Sequence, residues 1–243
     1  MPWFFCEEQI TSNCYTITDD DARHIAKSLR MKIGEELTLC SCYKTEYLCK
    51  ITGFTDNTVE VEIISQKPCE NEPSVRVALF QALTKGDKMD FIVQKAVELG
   101  ACEIIPMLTD RCVSRPDEKS AAKKVARWQK IAQQAAMQSR RAIIPEVKPL
   151  MSFADALRYS KEFEKTLLFY EGGGESVKSL LNKNTGSIAV FIGSEGGFAP
   201  SEVERLVENG GTPATLGKRI LRAETAPLAA LSVIMFQTGN FDE

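Results

Sequence analysis

Apolar and polar residues alternate along the first third of the chain. In "NTVEVEIIS", Val59, Val61 and Ile63 stand between glutamates, and this period of two predicts a half-buried strand. The segments "ELTLC" and "YLCKITGF" predict further strands, and "TDNT" predicts a turn between two of them. One short helix is expected in "DDDARHIAKSLRM", where acids fill the first turn and bases follow. Residues 1–70 are therefore predicted to form a small β-rich domain.

The pattern changes after "KPCENEP" (residues 67–73), a polar segment with two prolines that we interpret as a linker. Continuous apolar runs such as "VRVALFQAL", "KTLLFYE" and "SIAVFIG" are typical of strands buried on both faces. Helical patterns lie between them, including residues 118–139, "PSEVERLVENGG" with Ser201 and Glu204 as a capping box, and "AETAPLAALSVIMFQTG". This alternation predicts an α/β fold with a mostly parallel sheet over residues 74–243.

The overall composition is that of an ordinary globular protein. The chain has 243 residues, 44% of them hydrophobic and 26% charged, and a net charge of −3. This charge argues against a strongly basic, non-specific nucleic-acid binder, although a local basic face is compatible with it. No apolar run is long enough to span a bilayer, and "MPWFFCEEQI" lacks the pattern of a signal peptide. We therefore expect a cytoplasmic protein with no membrane partner.

The eight cysteines and the single histidine, His24, limit the possible metal chemistry. Without an export signal, the cysteines are expected to be reduced thiols. Cys40 and Cys42 form a C-x-C pair, which is a weak metal signal, and small apolar fillers on a strand are the better interpretation. One histidine argues against a His-rich metal site, so no metal is expected.

Three predicted strands in the last third of the chain end in unusual loops. These loops are "FYEGGGE" (169–175), "IGSEGGF" (192–198) and "LGKRILRAET" (216–225). Ligands bind at the carboxyl ends of parallel strands, and glycine permits close backbone approach, so the three loops together predict one composite pocket. The usual dinucleotide and P-loop motifs are absent. Acidic side chains in the first two loops disfavour a phosphate but tolerate a cation, a sign that suits a sulfonium cofactor such as S-adenosylmethionine.

The long predicted helix has one apolar and one basic face. The apolar stripe consists of Ala121, Val125, Trp128, Ala132 and Ala135. The basic row and its continuation consist of Lys119, Lys123, Arg127, Lys130, Gln134, Gln138, Arg140 and Arg141. A basic row is usually a solvated face, but the absence of interleaved acids favours contact with phosphates. A second basic cluster, "KSLRMK" (27–32), lies in the small domain.

Four segments together carry a resemblance to a known family. They are "LTKGDKMDFIVQKAVELGACEIIPMLTDRC", "RWQKIAQQAAMQSRR", "FIGSEGGFAPSEVE" and "LGKRILRAETAPLAAL". They resemble the ribosomal RNA small-subunit methyltransferase E family, which belongs to the SPOUT superfamily of knotted RNA methyltransferases. The similarity extends over almost the whole chain, and the last two motifs are specific in their order and spacing. "RHIAKSLRMKIGEELTL" resembles the start of the family's N-terminal PUA-like β-barrel.

The resemblance implies a SPOUT-type parallel sheet with a C-terminal trefoil knot, a PUA-like RNA-binding domain and a homodimer. It implies methylation of N3 of a uridine in small-subunit ribosomal RNA, with S-adenosylmethionine bound in the knot. The expected cofactor contacts are Phe169, Tyr170, Glu171, Ile192, Gly193, Glu195, Gly196, Gly197, Leu216, Gly217, Ile220, Leu221 and Thr225. The expected RNA contacts are Lys27, Arg30, Lys32, Lys123, Arg127, Lys130, Gln138, Arg140 and Arg141. The glycines of "GSEGG" are expected to let backbone wrap the adenosyl group.

The implied chemistry suggests roles for three residues near the last loop. Uracil N3 carries a proton at neutral pH, and its loss places negative charge on the flanking carbonyl oxygens. A guanidinium group suits that charge, so we assign Arg222 to the uracil, with Arg219 beside it. Glu224 is expected to accept the proton or to orient an arginine, and helix capping by Glu224 and Thr225 is an equally good interpretation.

Two rival functions stay open. One is a SPOUT enzyme that acts on another RNA site or on a ribose 2′-hydroxyl, and the other is a non-catalytic RNA-binding assembly factor. The segment "PLAALSVIMF" is apolar nearly all round, which predicts dimerisation through the last helix. The alternative for this helix is burial within its own domain.

Overall fold

The computed structural model describes residues 1–41 and 43–242 and divides the chain into two compact units. The smaller unit contains residues 1–72 together with 136–143, and the larger unit contains the rest. Cys42, one half of the C-x-C pair, lies outside the described residues.

The smaller unit is built on a five-stranded sheet in the order β1-β3-β4-β5-β2. Its strands are β1 (Trp3–Cys6), β2 (Cys14–Ile17), β3 (Glu36–Ser41), β4 (Thr45–Phe54) and β5 (Val59–Pro68). Helix α1 (Asp19–Arg23) continues into one π-helical turn, His24–Ser28. The predicted alternation is confirmed in β5, where Val59 and Val61 are buried and the intervening glutamate is exposed.

Hydrogen bonds tie the polar segment after β5 to the smaller unit. The backbone N–H of Cys69 donates to the carbonyl of Lys44 at 2.8 Å. The carboxylate of Glu72 accepts from the guanidinium of Arg141 at 2.6 Å and from the backbone N–H of Ala142 at 2.9 Å. The residues that precede Pro73 are thus held by specific contacts.

The larger unit contains an eight-stranded sheet in which every paired strand is parallel, so the predicted α/β class is confirmed. The main order is β11-β13-β10-β12-β6-β7-β8, and β9 pairs with β7. The strands are β6 (Arg76–Ala82), β7 (Glu103–Leu108), β8 (Glu146–Val147), β9 (Met151–Ser152), β10 (Lys165–Phe169), β11 (Glu175–Ser176), β12 (Ser187–Ile192) and β13 (Thr212–Thr215). The helices are α2 (Lys88–Glu98), α3 (Glu118–Gln138), α4 (Phe153–Tyr159), α5 (Val177–Leu180), α6 (Pro200–Glu208) and α7 (Thr225–Gln237). The residues of α3 from position 136 onwards belong to the smaller unit.

Aromatic and aliphatic side chains from adjacent strands form the core of this sheet. The rings of Phe80 on β6 and Phe191 on β12 stack with their centroids 4.5 Å apart. The predicted apolar stripe of α3 is only partly buried, because Trp128, Ala132 and Ala135 are buried whereas its first two members are half-buried. Among the described residues, no helix has both the length and the apolar character needed to cross a membrane.

The start of α6 corrects one sequence-based prediction. The helix begins at Pro200, and the N-cap is Ala199, whose backbone N–H donates to the Glu202 carboxylate at 2.8 Å. The capping box predicted at Ser201 and Glu204 is therefore placed two residues too late. Proline decides the position, because its fixed φ and missing N–H suit the first helical residue.

Candidate active site

The three glycine-containing loops meet at the carboxyl ends of β10, β12 and β13. In the sheet, β10 lies between the other two strands, so the three loops emerge side by side. They line one cavity of about 800 Å³. All the expected cofactor contacts line this cavity except Thr225, which is the first residue of α7. Arg219 and Arg222 also line it, whereas Glu224 does not.

Two glycines of "GSEGG" are required because the chain packs against itself. A Cβ at Gly193 would lie 3.0 Å from the backbone of Gly197. Gly197 has a φ of 68°, and a Cβ there would lie 2.7 Å from a carboxylate oxygen of Glu171. The absence of side chains at these glycines therefore makes room for neighbouring parts of the same chain. The sequence-based interpretation considered only the room needed for the adenosyl group.

Arg111, in the segment after β7, connects two of the loops. Its Nη1 donates to the carbonyl of Gly196 at 2.8 Å and lies 3.7 Å from a carboxylate oxygen of Glu171. This residue was not predicted from the sequence. Its position just after the buried parallel strand β7 could have indicated a place near the site, because ligands bind at the carboxyl ends of such strands.

Lys88, the first residue of α2, bridges two carboxylates at the cavity and was also missed. Its Nζ lies 3.1 Å from Oε1 of Glu195 and 3.1 Å from Oε2 of Glu224. The backbone N–H of Lys85 donates to Oε1 of Glu195 at 3.0 Å. These contacts join the segment after β6, the loop after β12 and the start of α7.

The three charged groups shift one another's pKa values in a consistent way. The carboxylates of Glu224 and Glu195 beside its Nζ raise the pKa of Lys88. The pKa of Glu224 is lowered by a hydrogen bond from its own backbone amide and then by Lys88. Burial acts to raise the pKa of Glu195, but backbone amides and Lys88 outweigh it and lower the pKa. Glu224 is consequently ionised at neutral pH and is a weak proton acceptor.

The acids at the cavity are paired, which changes the charge argument made from the sequence. Glu195 is paired with Lys88, and Glu171 lies near Arg111. Arg222 is exposed, and its backbone carbonyl accepts from the N–H groups of Thr225 and Ala226, each at 2.9 Å. The arginine is therefore anchored by its backbone at the start of α7, and its side chain is available to solvent.

Comparison with known proteins agrees with this geometry. Two family models match, an RNA methyltransferase domain over residues 70–235 and an RNA methyltransferase PUA domain over residues 17–64. The ribosomal RNA small subunit methyltransferase E of Bacillus subtilis is 38% identical over 232 residues, which cover 92% of this chain and 90% of that protein. The chain belongs to the ribosomal RNA small subunit methyltransferase E family.

Two solved structures resemble the whole chain. One is a ribosomal RNA small subunit methyltransferase E from Neisseria gonorrhoeae bound to S-adenosyl methionine, with 33% identity, a TM-score of 0.87 and 97% coverage of both chains. The other, from Legionella pneumophila, contains the bound cofactor SAM and has 29% identity, a TM-score of 0.88 and 96% coverage of both chains. The predicted combination of a parallel α/β fold and a PUA-like domain is confirmed. Among the described residues, no cluster of three His, Cys, Asp or Glu side chains is arranged to hold a metal ion.

Most of the residues expected to contact RNA in this family member are exposed. They are Lys27, Arg30, Lys32, Lys123, Arg127, Lys130, Gln138 and Arg140. Arg127 is nevertheless partly neutralised, because it forms ion pairs with Asp90 and Asp87. Arg141 differs from the expectation, since its side chain is 4% exposed and its Nη2 lies 2.6 Å from Glu72. A buried, paired guanidinium is not positioned as a surface phosphate contact.

Proposed function

We propose that the chain is an S-adenosylmethionine-dependent methyltransferase that methylates N3 of a uridine in small-subunit ribosomal RNA. The observation that carries the proposal is the cavity of about 800 Å³ at the carboxyl ends of three parallel strands, in a chain of this family. A relative of the same family has been solved with the cofactor. A ribosomal substrate is consistent with a cytoplasmic reaction.

The cavity fits the proposed cofactor in size and lining. Its volume lies within the range of small-molecule sites. The lining combines glycine backbone with the apolar residues Phe169, Ile192, Leu216 and Leu221. Apolar side chains suit the flat faces of an adenine ring, and backbone N–H and C=O groups suit its polar edge. Bound S-adenosylmethionine would supply a methyl group already activated by a sulfonium. We further propose that the three loops form part of a trefoil knot.

We propose that Arg222 acts on the uracil. Deprotonation at N3 spreads negative charge onto two carbonyl oxygens, and a guanidinium presents a fork of N–H donors to such a group. Arg222 lines the cavity from an exposed position, with its backbone fixed at the start of α7. Arg219 lines the same cavity and is proposed to hold the target nucleotide beside it.

The structure favours an orienting role for Glu224 over a role as general base. Its carboxylate lies 3.1 Å from Lys88. Its lowered pKa makes it a weak acceptor for the N3 proton. We propose that Glu224 holds Lys88 and the start of α7 in place, and that the proton leaves to water.

A homodimer through α7 is also proposed. One face of this helix is packed in the larger unit, with Leu231, Ile234 and Met235 buried. On the opposite side, Val233 is 41% exposed and Phe236 is 67% exposed. Large apolar side chains exposed near each other on one helix are typical of an interaction surface.

Transfer of labelled methyl groups from S-adenosylmethionine to purified small ribosomal subunits tests the proposed activity. Digestion of the RNA to nucleosides should yield label in N3-methyluridine. Label in a 2′-O-methylated nucleoside or in another base would favour a different RNA methyltransferase reaction. Binding of the subunit without cofactor binding or methyl transfer would favour the assembly-factor alternative.

A further inference from the structure

The smaller unit contains a second cavity, of about 420 Å³, whose chemistry the methyl-transfer reaction does not use. Trp3, Glu46, Lys67, Asn71 and Arg140 are among its lining residues, and all of them belong to the smaller unit. Within the described part of the chain, it shares no lining residue with the candidate active site. Its volume is that of a small-molecule site. The cavity therefore combines an indole, a carboxylate, an amide and two cations.

Two buried polar groups of this cavity lack strong partners. The indole N–H of Trp3 is buried and finds no acceptor among the described residues. The side chain of Glu46 is 11% exposed, and its Oε2 lies 3.4 Å from Nζ of Lys67, whose side chain is 73% exposed. The Cys69 thiol also lies beside this carboxylate. A carboxylate this buried is stabilised when stronger N–H donors face it.

Arg140 occupies a backbone conformation that favours glycine. Its φ is 57°, in the left-handed region, just after α3 ends. Glycine is the usual residue at such a position, because a Cβ raises its energy. The Asn71 side chain donates to the Arg140 carbonyl at 2.8 Å and so fixes this backbone. The arginine side chain, exposed and lining the cavity, is thus present despite a local energetic cost.

We propose that this cavity is a nucleotide subsite that takes one unpaired guanosine of the substrate RNA. The proposal rests on the proposed RNA methyltransferase function and adds a contact in the smaller unit. RNA-binding proteins commonly take unpaired bases into pockets that combine aromatic contact with hydrogen bonds to the base edges. The cations Lys67 and Arg140 would face the phosphate of the same nucleotide.

The carboxylate of Glu46 selects guanine among the four bases. Guanine presents two adjacent donors, N1–H and the 2-amino group, which match the two oxygens of one carboxylate. Adenine and cytosine place a ring acceptor next to their amino group, and uracil places its single N–H between two carbonyls. Each of these three bases would bring an acceptor towards Glu46.

Trp3 provides a direct reporter of binding. The chain has two tryptophans, and the other one, Trp128, donates to Asp90 in the larger unit. In Trp128→Phe, emission comes from Trp3, and titration with guanosine monophosphate should quench it saturably. The dissociation constant should be about tenfold or more below those of the adenosine, cytidine and uridine monophosphates, in line with the loss of one good base contact. If Trp128→Phe is unstable, the Trp3 indole N–H resonance of the unmodified chain gives the same titration by NMR.

Substitutions separate a binding role from a structural one. Glu46→Gln should remove the preference for guanosine. Arg140→Gly should keep or raise the unfolding midpoint, because the backbone conformation favours glycine. It should also weaken the binding of guanosine monophosphate about fivefold or more, because the cation is lost. The matched control is Lys44→Gly, because Lys44 also has a positive φ of 58° in the smaller unit and does not line the cavity. It should likewise keep or raise the unfolding midpoint, without changing nucleotide binding.

Equal affinity for the four nucleotides, no quenching, or a guanosine preference that survives Glu46→Gln would overturn the subsite. The methyl-transfer assay is independent of this titration. Methyl transfer without guanosine binding removes the subsite alone. Guanosine binding without methyl transfer removes the proposed function and leaves the subsite in place.

Discussion

The cations around the candidate active site have different neighbours and therefore different expected roles. Lys88 lies 3.1 Å from each of two carboxylates, and Arg111 donates to the carbonyl of Gly196. These two residues connect loops to one another. Arg222 lines the cavity from an exposed position, and its proposed role is contact with the substrate.

Replacement of Arg222 by lysine is expected to be severe although the charge is kept. Lysine is a point charge without the planar fork, so one transition-state donor is lost, at a cost of about 3 kcal/mol or roughly two decades in single-turnover rate. Affinity for S-adenosylmethionine, measured by calorimetry, should change little. Arg158→Lys is the matched control, because Arg158 forms an exposed pair with Asp155 on α4. A normal rate for Arg222→Lys would exclude Arg222 from the chemistry.

Loss of Lys88 should change the pH dependence of cofactor binding. The pKa values of Glu195 and Glu224 are lowered from an ordinary 4.5. The stabilisation of the loops by their ion pairs with Lys88 is therefore fully present above pH 4.5, and it is lost as the pH falls through the lowered pKa values. Lys88→Met removes one cause of the lowering. The acid limb of S-adenosylmethionine affinity should therefore move to higher pH, and turnover at neutral pH should fall about tenfold because the loops are misplaced.

Two further variants test that explanation for Lys88. Lys88→Arg keeps a cation within reach of both carboxylates and should restore the acid limb. Lys95→Met is the matched control, because Lys95 lies on the same helix and pairs with Glu98 at 2.8 Å outside the cavity lining. An acid limb that does not move in Lys88→Met would contradict the bridging role.

Long elements could be predicted from the sequence because their apolar patterns extend over many residues. The predicted helix over 118–139 is observed as α3 (Glu118–Gln138). The short strands β8, β9 and β11 were not predicted. They have two residues each, too few for any period, and their pairing depends on distant strands.

In the candidate site too, only the features with a local sequence signal could be predicted. The three loops were predictable because glycines follow buried strands, a local signal. Lys88, Arg111 and the burial of Arg141 were not, since each depends on a partner far away in sequence. Helix periodicity placed Arg141 near an exposed row, but it lies beyond the end of α3, where that periodicity no longer applies.

The segment after α3 should depend on Glu72 for its stability. Glu72 accepts from the guanidinium of Arg141 and from two backbone N–H groups, and the Arg141 side chain is 4% exposed. Glu72→Gln removes the negative charge that pairs with the buried Arg141 guanidinium, and breaking a buried ion pair costs about 3 kcal/mol. The urea midpoint, followed by Trp3 emission in a Trp128→Phe background, should fall. Glu70→Gln, at an exposed neighbouring position, should stay within about 0.5 kcal/mol, and an equal effect of both changes would contradict the pairing argument.

At the scale of the whole molecule, the exposed apolar face of α7 predicts self-association. Phe236→Asp would place a charge in the proposed interface, where burial is expensive. Light scattering at micromolar concentration should then report monomers, whereas the unmodified chain should report dimers. Phe241→Asp is the control, because Phe241 is 55% exposed but lies beyond the end of α7. Monomers for the unmodified chain would remove the dimer proposal.

The strand order of the larger unit has a consequence for biosynthesis. Strand β6 lies between β7 and β12, and Arg76 pairs with Ser187. A nascent chain on the ribosome therefore exposes one hydrogen-bonding edge of β6 until β12 has left the exit tunnel. Unpaired strand edges promote aggregation, and contacts distant in sequence form late. Translation that stops before β12 should leave a chaperone-bound or insoluble product, and the same stop after α7 should not.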